Sequence, residues 1–212
     1  MEYEVRFYFP KTKLEELVSI LESENDLTKS LRTYEKTTQY NHSDINHDFY
    51  SKEVDGRFRI RVSTNDEKQA CKLTWKRRLP ETIEGDINKE EEKEVSIDIS
   101  ELDDFVFIVE NVMHFTIVES YERYRTTFSD NDIEICIDEY PFGIALEIES
   151  QKDVSDPEKI IKEWIEKLGF NLSDSYRLSW DDKYEELCKE QNKPIYKVVT
   201  FEKEMPIIKE KE

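Results

Sequence analysis

Strict alternation of apolar and charged residues runs through most of this chain and constrains its fold more than any other feature. A two-residue period places successive side chains on opposite faces of a strand. In EYEVRFYF (2–9), Glu2, Glu4 and Arg6 oppose Tyr3, Val5 and Phe7. In GRFRIRVS (56–63), Arg57, Arg59 and Arg61 oppose Phe58, Ile60 and Val62. In ACKLTWKRR (70–78), Lys72, Thr74, Lys76 and Arg78 oppose Leu73 and Trp75. EVSIDI (94–99), SYERYRTTF (120–128), DIEICID (132–138) and GIALEIES (143–150) behave similarly. With further strands expected in LRTYEKTTQY (31–40) and HDFYSKE (47–53), the chain has roughly eight or nine, several joined by short links.

Helical spacing appears in four places. TKLEELVSILES (12–23) puts Leu14, Leu17, Val18 and Leu21 on one stripe. SELDDFVFIVENVMHF (100–115) is expected to start at Ser100 as N-cap, with Asp103 three residues on. SDPEKIIKEWIEKLG (155–169) has Ser155 or Asp156 as cap, Pro157 in its first turn and Gly169 as its stop. WDDKYEELCKEQ (180–191) is a shorter candidate. Residues 82–92 read as an acidic connector. With 4 Gly and 6 Pro in 212 residues, long regular elements are expected. The expected organisation is one domain over 1–193, followed by a C-terminal strand or charged tail over 194–212.

On an open antiparallel sheet the charged faces would meet water, and any one charged row reads as ordinary surface. Here the rows are sorted by sign. Arg57/Arg59/Arg61, Lys72/Lys76/Arg78 and Arg123/Arg125 are basic, while Glu2/Glu4 and Glu147/Glu149 are acidic. Many amphipathic strands tend to close into a barrel, which removes their edges. If the apolar faces lie outward under the helices, the charged faces point inward. A lumen lined by Arg and Lys attracts a polyanion, because guanidinium forks pair with phosphate oxygens. Paired carboxylates in the same lumen would repel phosphate unless a divalent cation sat between them. The rows together imply a metal–polyphosphate site. A glycine-rich phosphate loop is excluded by the scarcity of glycine.

The net charge of -19 disfavours extended nucleic acid as a partner. Cys71, Cys136 and Cys188 are far apart and read as reduced thiols in a cytoplasmic protein. No apolar run approaches the ~18–20 residues that span a membrane, and no signal peptide is evident. His42, His47 and His114 form no triad with an obvious serine.

These motifs resemble the CYTH family of triphosphate tunnel metalloenzymes. That family opens with a Glu-x-Glu-x-Lys strand, seen here as Glu2-Tyr-Glu4-Val-Arg6. RFRIRVS resembles its arginine-rich strand, Leu73-Thr74-Trp75-Lys76 its Leu-Thr-x-Lys strand, and Arg123-Tyr-Arg125 its later basic strand. Asp138 followed by Glu147-Ile148-Glu149 is similar to its closing acidic strands, and RLSWDDKYEEL (177–187) to its last helix start. The motifs run in the family's order over about residues 1–190. The departure is Arg6, a planar fork where the family usually has a compact lysine ammonium.

The resemblance implies an α+β fold: a closed antiparallel eight-stranded β-barrel, or tunnel, with flanking α-helices. It also implies Mg²⁺- or Mn²⁺-dependent chemistry on a small triphosphate (inorganic, nucleoside or thiamine), in a monomer or homodimer. Glu2, Glu4, Glu147 and Glu149 would hold metal, with Asp138 as a further ligand. Arg59, Arg61, Lys76, Arg123 and Arg125 would grip the triphosphate, with Arg57, Lys72 and Arg6 in support. Glu2, Glu4, Arg6 and Lys76 form the expected catalytic set. Glu92 and Glu94 either line the lumen or lie in solvent. A hydrolase releases orthophosphate. A class IV type adenylate cyclase would use the same metals for attack by the ribose 3′-hydroxyl on the α-phosphate. An RNA 5′-triphosphatase and a non-catalytic polyphosphate-binding module are the other readings.

Overall fold

A computed structural model describes residues 1–51, 53–79, 87–152 and 154–210. Its strands are β1 (Glu2–Phe9), β2 (Thr28–Lys29), β3 (Thr33–His42), β4 (Gly56–Thr64), β5 (Gln69–Arg78), β6 (Asn88–Ile97), β7 (Phe115–Ser129), β8 (Ile133–Tyr140), β9 (Gly143–Ser150) and β10 (Val198–Val199). Eight of them close into an antiparallel barrel in the order β3-β4-β5-β6-β1-β9-β8-β7, with β7 returning to β3. Closure depends on the length of β7. Its 15 residues pair β3 over Phe115–Arg125 and β8 over Tyr124–Ser129. The short β2 and β10 add to β7 outside the ring, β10 in parallel.

The apolar faces point outward, where helices cover them. On one side α1 (Leu14–Glu22) and α3 (Pro157–Lys167) pack Leu17, Leu21, Ile161, Trp164 and Ile165 on Val5, Phe7, Ile135, Ile137, Leu146 and Ile148. Each such side chain contributes about 1.5–3 kcal/mol when fully buried. On another side α2 (Leu102–Phe107), extended by a π turn over Ile108–Val112, places Leu102, Phe105 and Val109 on Tyr40, Ile60 and Cys71. Helix α4 (Trp180–Glu190) lies across one end of the barrel, packing Trp180, Tyr184 and Leu187 on Tyr121, Tyr140 and Phe142. Gly56 admits a close crossing there is no room to widen: a Cβ would stand 2.3 Å from the Trp75 ring and 2.8 Å from the Phe49 carbonyl oxygen.

Three sequence expectations need correction. HDFYSKE is not a strand in its described residues; a 3-10 turn occupies Ile45–His47, held by Asp44 accepting from the Asn46 amide. The strand expected at 94–99 begins at Asn88, inside the expected acidic connector, because Lys76 and Arg77 stand opposite Glu92 and Glu91. The rest of that connector, 82–86, lies outside the described residues. Ser100 does not cap α2. Asp98 accepts from the Ser100 amide and starts a 3-10 turn, and the α-helix follows at Leu102. No helix among the described residues is long and apolar enough to cross a membrane.

Candidate active site

The inward faces line a cavity of about 390 Å³, within the usual range for small-ligand sites. Two walls of opposite sign face each other across it. Arg57, Arg59 and Arg61 from β4, Lys72, Lys76 and Arg78 from β5, and Arg123 and Arg125 from β7 supply the cations. Glu90, Glu92 and Glu94 from β6, Glu2 from β1, and Glu147 and Glu149 from β9 supply the anions. Period-two geometry explains the sorting, since each strand turns one charged row inward.

The acids do not all stand in the same environment. Glu2, Glu92 and Glu149 gather with ligand atoms within 4.8 Å of one another. Burial foremost, then the hydrogen bond with Glu92, pushes Glu2 up to about 7 against the pull of Lys76. Burial also drives Glu149 well above the usual carboxylate range; Lys76 opposes it and Glu2, Glu4 and Glu92 reinforce it. Glu2 Oε2 is buried with no hydrogen-bond partner among the described residues. Lys152 also stands 3.5 Å from Glu2 Oε1, yet burial and the proximity of like charges outweigh both lysines at Glu2.

The neighbouring acids are already engaged. Lys76 Nζ lies 2.8 Å from Glu4 Oε2 and 2.8 Å from Glu90 Oε2, and 3.6 Å from Glu2 Oε2. Arg6 donates to Glu147 at 2.7 Å, to Glu4 at 3.1 Å and to the Leu178 carbonyl at 3.0 Å. The arginine fork thus spans two strands and ties down the approach to α4, a set of contacts that a lysine ammonium could not make at once. Glu147 also takes Arg125 at 2.5 Å. Burial alone would raise Glu4 and Glu147, but Lys76 and Arg6 hold Glu4 below the carboxylate range, and Arg6 and Arg125 hold Glu147 well below it. Asp138 is fully buried and takes Arg123 at 2.6 Å and Arg125 at 2.5 and 2.6 Å. It does not line the cavity.

On the basic wall Arg59 donates to Gln39 at 2.9 Å, and Arg61 to Thr37 at 3.2 Å with Glu35 at 3.6 Å. Arg57 Nε and Arg123 Nη2 are buried without hydrogen-bond partners among the described residues. Lys72 pairs with Glu94 at 2.7 Å and is 49% exposed, which places it towards solvent. At the opposite end Ser179 and Trp180 line the cavity, whereas Lys183 turns to Glu186 and the Tyr176 ring.

Glu35 and Gln39 escaped the sequence reading. They lie on the inward face of β3 and orient Arg123 and Arg59. TYEKTTQY carries no charge row; only strand parity combined with closure would have found them.

The CYTH domain family model matches residues 1–178. No curated protein sequence matches the chain. Among solved structures, the PH1819 protein from Pyrococcus horikoshii OT3 superposes with a TM-score of 0.64 at 20% identity, over 90% of this chain and 99% of that one. A putative adenylate cyclase from Vibrio parahaemolyticus gives 0.61 at 13% identity, over 85% and 96%. A putative adenylyl cyclase from Hippeastrum, described as revealing a dominant triphosphatase activity, gives 0.58 at 16% identity, over 92% and 98%. At these identities the likeness is one of fold.

Proposed function

This chain belongs to the CYTH domain family, and on that premise we propose that it is a divalent-metal-dependent triphosphatase that removes the terminal phosphate of a small triphosphate inside the barrel. One observation carries the reading. A trio of crowded carboxylates faces a wall of guanidinium groups, three of which, Arg57, Arg78 and Arg123, bear buried nitrogens without hydrogen-bond partners among the described residues.

A divalent cation fits the trio. Three carboxylates converge, one buried oxygen among them has no hydrogen-bond partner among the described residues, and an all-oxygen donor set suits Mg²⁺ or Mn²⁺. Glu2, Glu92 and Glu149 would hold the ion, with Glu4 and Glu147 beside them as reserve ligands. When bound, it would supply Lewis-acid neutralisation of phosphate charge. The remaining work falls to the chain's own residues. Arg57, Arg59, Arg61, Arg123 and Arg125 grip the phosphates, and Lys72 meets them at the mouth. Lys76 keeps Glu4 and Glu90 in place and offers its own charge to the phosphates. Arg6 fixes Glu4 and Glu147 relative to the α4 end. Asp138 and Glu35 brace the arginines from behind. Phosphoryl transfer needs positioning and charge stabilisation more than covalent chemistry, and this lumen offers both. The buried free thiols of Cys71, Cys136 and Cys188 fit a reducing, cytoplasmic setting.

The names of the Vibrio and Hippeastrum neighbours favour one second reading, an adenylate cyclase using the same grip. A panel of inorganic, nucleoside and thiamine triphosphates, incubated with Mg²⁺ or Mn²⁺, separates the two. Orthophosphate release supports the triphosphatase, whereas pyrophosphate with a cyclic nucleotide would replace it. Glu149→Gln should cost more than the ~10–100-fold typical of residues that only support a metal ligand. Turnover that survives removal of all divalent metal would overturn the proposal.

A further inference from the structure

A second polar cluster sits outside the cavity, at the end closed by α4. The loop between β3 and β4 brings Tyr50 to the barrel, where its hydroxyl lies 2.5 Å from Glu119 Oε1 on β7 and 2.8 Å from Asp181 Oδ2 on α4. The Arg57 guanidinium stacks over the Tyr50 ring, 4.2 Å from its centroid, and stands 3.9 Å from Asp181. Arg57 lines the tunnel; Tyr50, Glu119 and Asp181 do not.

A phenol has a single proton to donate. It can serve one of the two carboxylates. If both were ionised, the other would set its lone pairs against those of the phenol oxygen at hydrogen-bond distance, so the cluster needs one more proton. Its placement follows from the surroundings. Asp181 accepts from Ser179 as well, and Arg57, Ser179 and Tyr50 hold it ionised against the effect of burial. Glu119 is pushed up to about 7, by burial first and then by the Asp181 charge. The other groups around it leave this balance in place. A donation from Tyr50, the charges of Arg57 and Arg59 on β4 and the Gln39 amide donated from β3 all favour its ionisation, and burial with the Asp181 charge still outweighs them. Asp182 accepts from the Ser179 amide, Asp55 pairs with Arg57 and Arg78, and Asp48 accepts from Asn41 and the Tyr50 amide.

We propose that Glu119 donates a shared proton to Tyr50 while Tyr50 donates to Asp181, and that this proton-dependent latch pins the β3–β4 loop to α4 and positions Arg57 at the closed end of the tunnel. Tyr50 is thereby a positioning residue. The sign of the pH effect follows from linkage. A carboxyl raised in the folded state contributes stability that is fully present below its ordinary value of 4.5 and lost as pH rises through about 7.

The test compares the full-length parent, Glu119→Gln and Tyr50→Phe. Melting temperatures are taken from about pH 5.5 to about pH 8.5. A glutamine amide donates to Tyr50 at every pH, so the parent should lose stability relative to Glu119→Gln as pH rises from about 5.5, the difference levelling off above about 7. A flat difference between these two proteins would overturn the latch. Calorimetric binding of inorganic triphosphate without metal follows at both ends of the range. The parent-to-Glu119→Gln affinity ratio should fall about fivefold towards high pH, the ligand's own ionisation cancelling in the ratio. Tyr50→Phe should weaken binding already at low pH, and unchanged affinity there would overturn the positioning of Arg57. The binding measurement rests on the proposed function and the melting comparison does not. If no form binds triphosphate even when Mg²⁺ is added, the function falls and the melts still decide the latch. If Tyr50→Phe does not fold, Asp181→Asn takes its place.

Discussion

Replacing Asp138 with asparagine should destabilise the chain even when no metal is present. The Asp138 carboxylate is wholly buried and accepts three short hydrogen bonds, one from Arg123 and two from Arg125. Arg123 is itself only 2% exposed, and its other carboxylate partner is Glu35 at 2.7 Å. Removing one partner of a buried ion pair typically costs about 3–5 kcal/mol, because a charge is left uncompensated. Asparagine keeps one acceptor oxygen but turns an NH₂ group towards a guanidinium donor, so the lower end, about 3 kcal/mol, is expected. For a chain of this size each kcal/mol moves the melting temperature by about 2–4 °C, giving a fall of roughly 6–12 °C. The assay is a thermal melt at neutral pH, in chelator and again with Mg²⁺. The reasoning is refuted by a metal-free melting temperature within about 2 °C of the parent. A loss confined to the Mg²⁺ sample would instead support Asp138 as a metal ligand.

Arg6→Lys should lower stability by about 1–2 kcal/mol, since an ammonium cannot hold Glu4, Glu147 and the Leu178 carbonyl together; urea unfolding would measure this. Gly56→Ala should cost about 1–3 kcal/mol in the same assay, because the new methyl would meet the Trp75 ring and the Phe49 carbonyl. Mg²⁺ should raise the melting temperature more at about pH 8 than at about pH 6, since it binds ionised carboxylates and Glu2 holds its proton up to about 7. An equal rise at both values would argue against Glu2 as a ligand.

The barrel was legible in the sequence because alternation is a backbone property. β1, β4, β5 and β9 fall where the period places them, and their charged rows do turn inward. β6 was harder for a physical reason. KEEEKE reads as a solvated run until its partner strand is known; paired with Lys76, Arg77 and Arg78 it becomes a wall of the lumen. The segment after β3 departs from the strand its alternation predicts because alternation competes there with side-chain hydrogen bonds to the backbone. Asn41 accepts from the His42 and Phe49 amides and Asp44 from Asn46, so the chain turns instead of extending. Glu119 carries no signal in the sequence, and Asp181 only a place in the last helix-start motif. Their meaning depends on a tyrosine that approaches from a loop, which no local period can reveal.

The pairing inside the lumen also indicates where a ligand would act. Where opposite charges have met, at Arg6–Glu147, Lys76–Glu4 and Arg125–Asp138, burial has been offset in part, so a ligand gains less there than at an atom without a partner. Buried atoms without a hydrogen bond among the described residues remain on both walls, with Glu2 Oε2 on the acidic side and Arg57 Nε, Arg78 Nε and Arg123 Nη2 on the basic side. A buried group without a partner costs about 1–3 kcal/mol, and more if charged. A cation alone would relieve one wall, and an anion alone the other. Only a ligand pair of both signs relieves both at once. Metal and triphosphate are therefore expected to bind with positive coupling, each lowering the electrostatic cost of the other. That coupling, more than the net acidity of the chain, makes a polyanion acceptable inside a protein of charge -19.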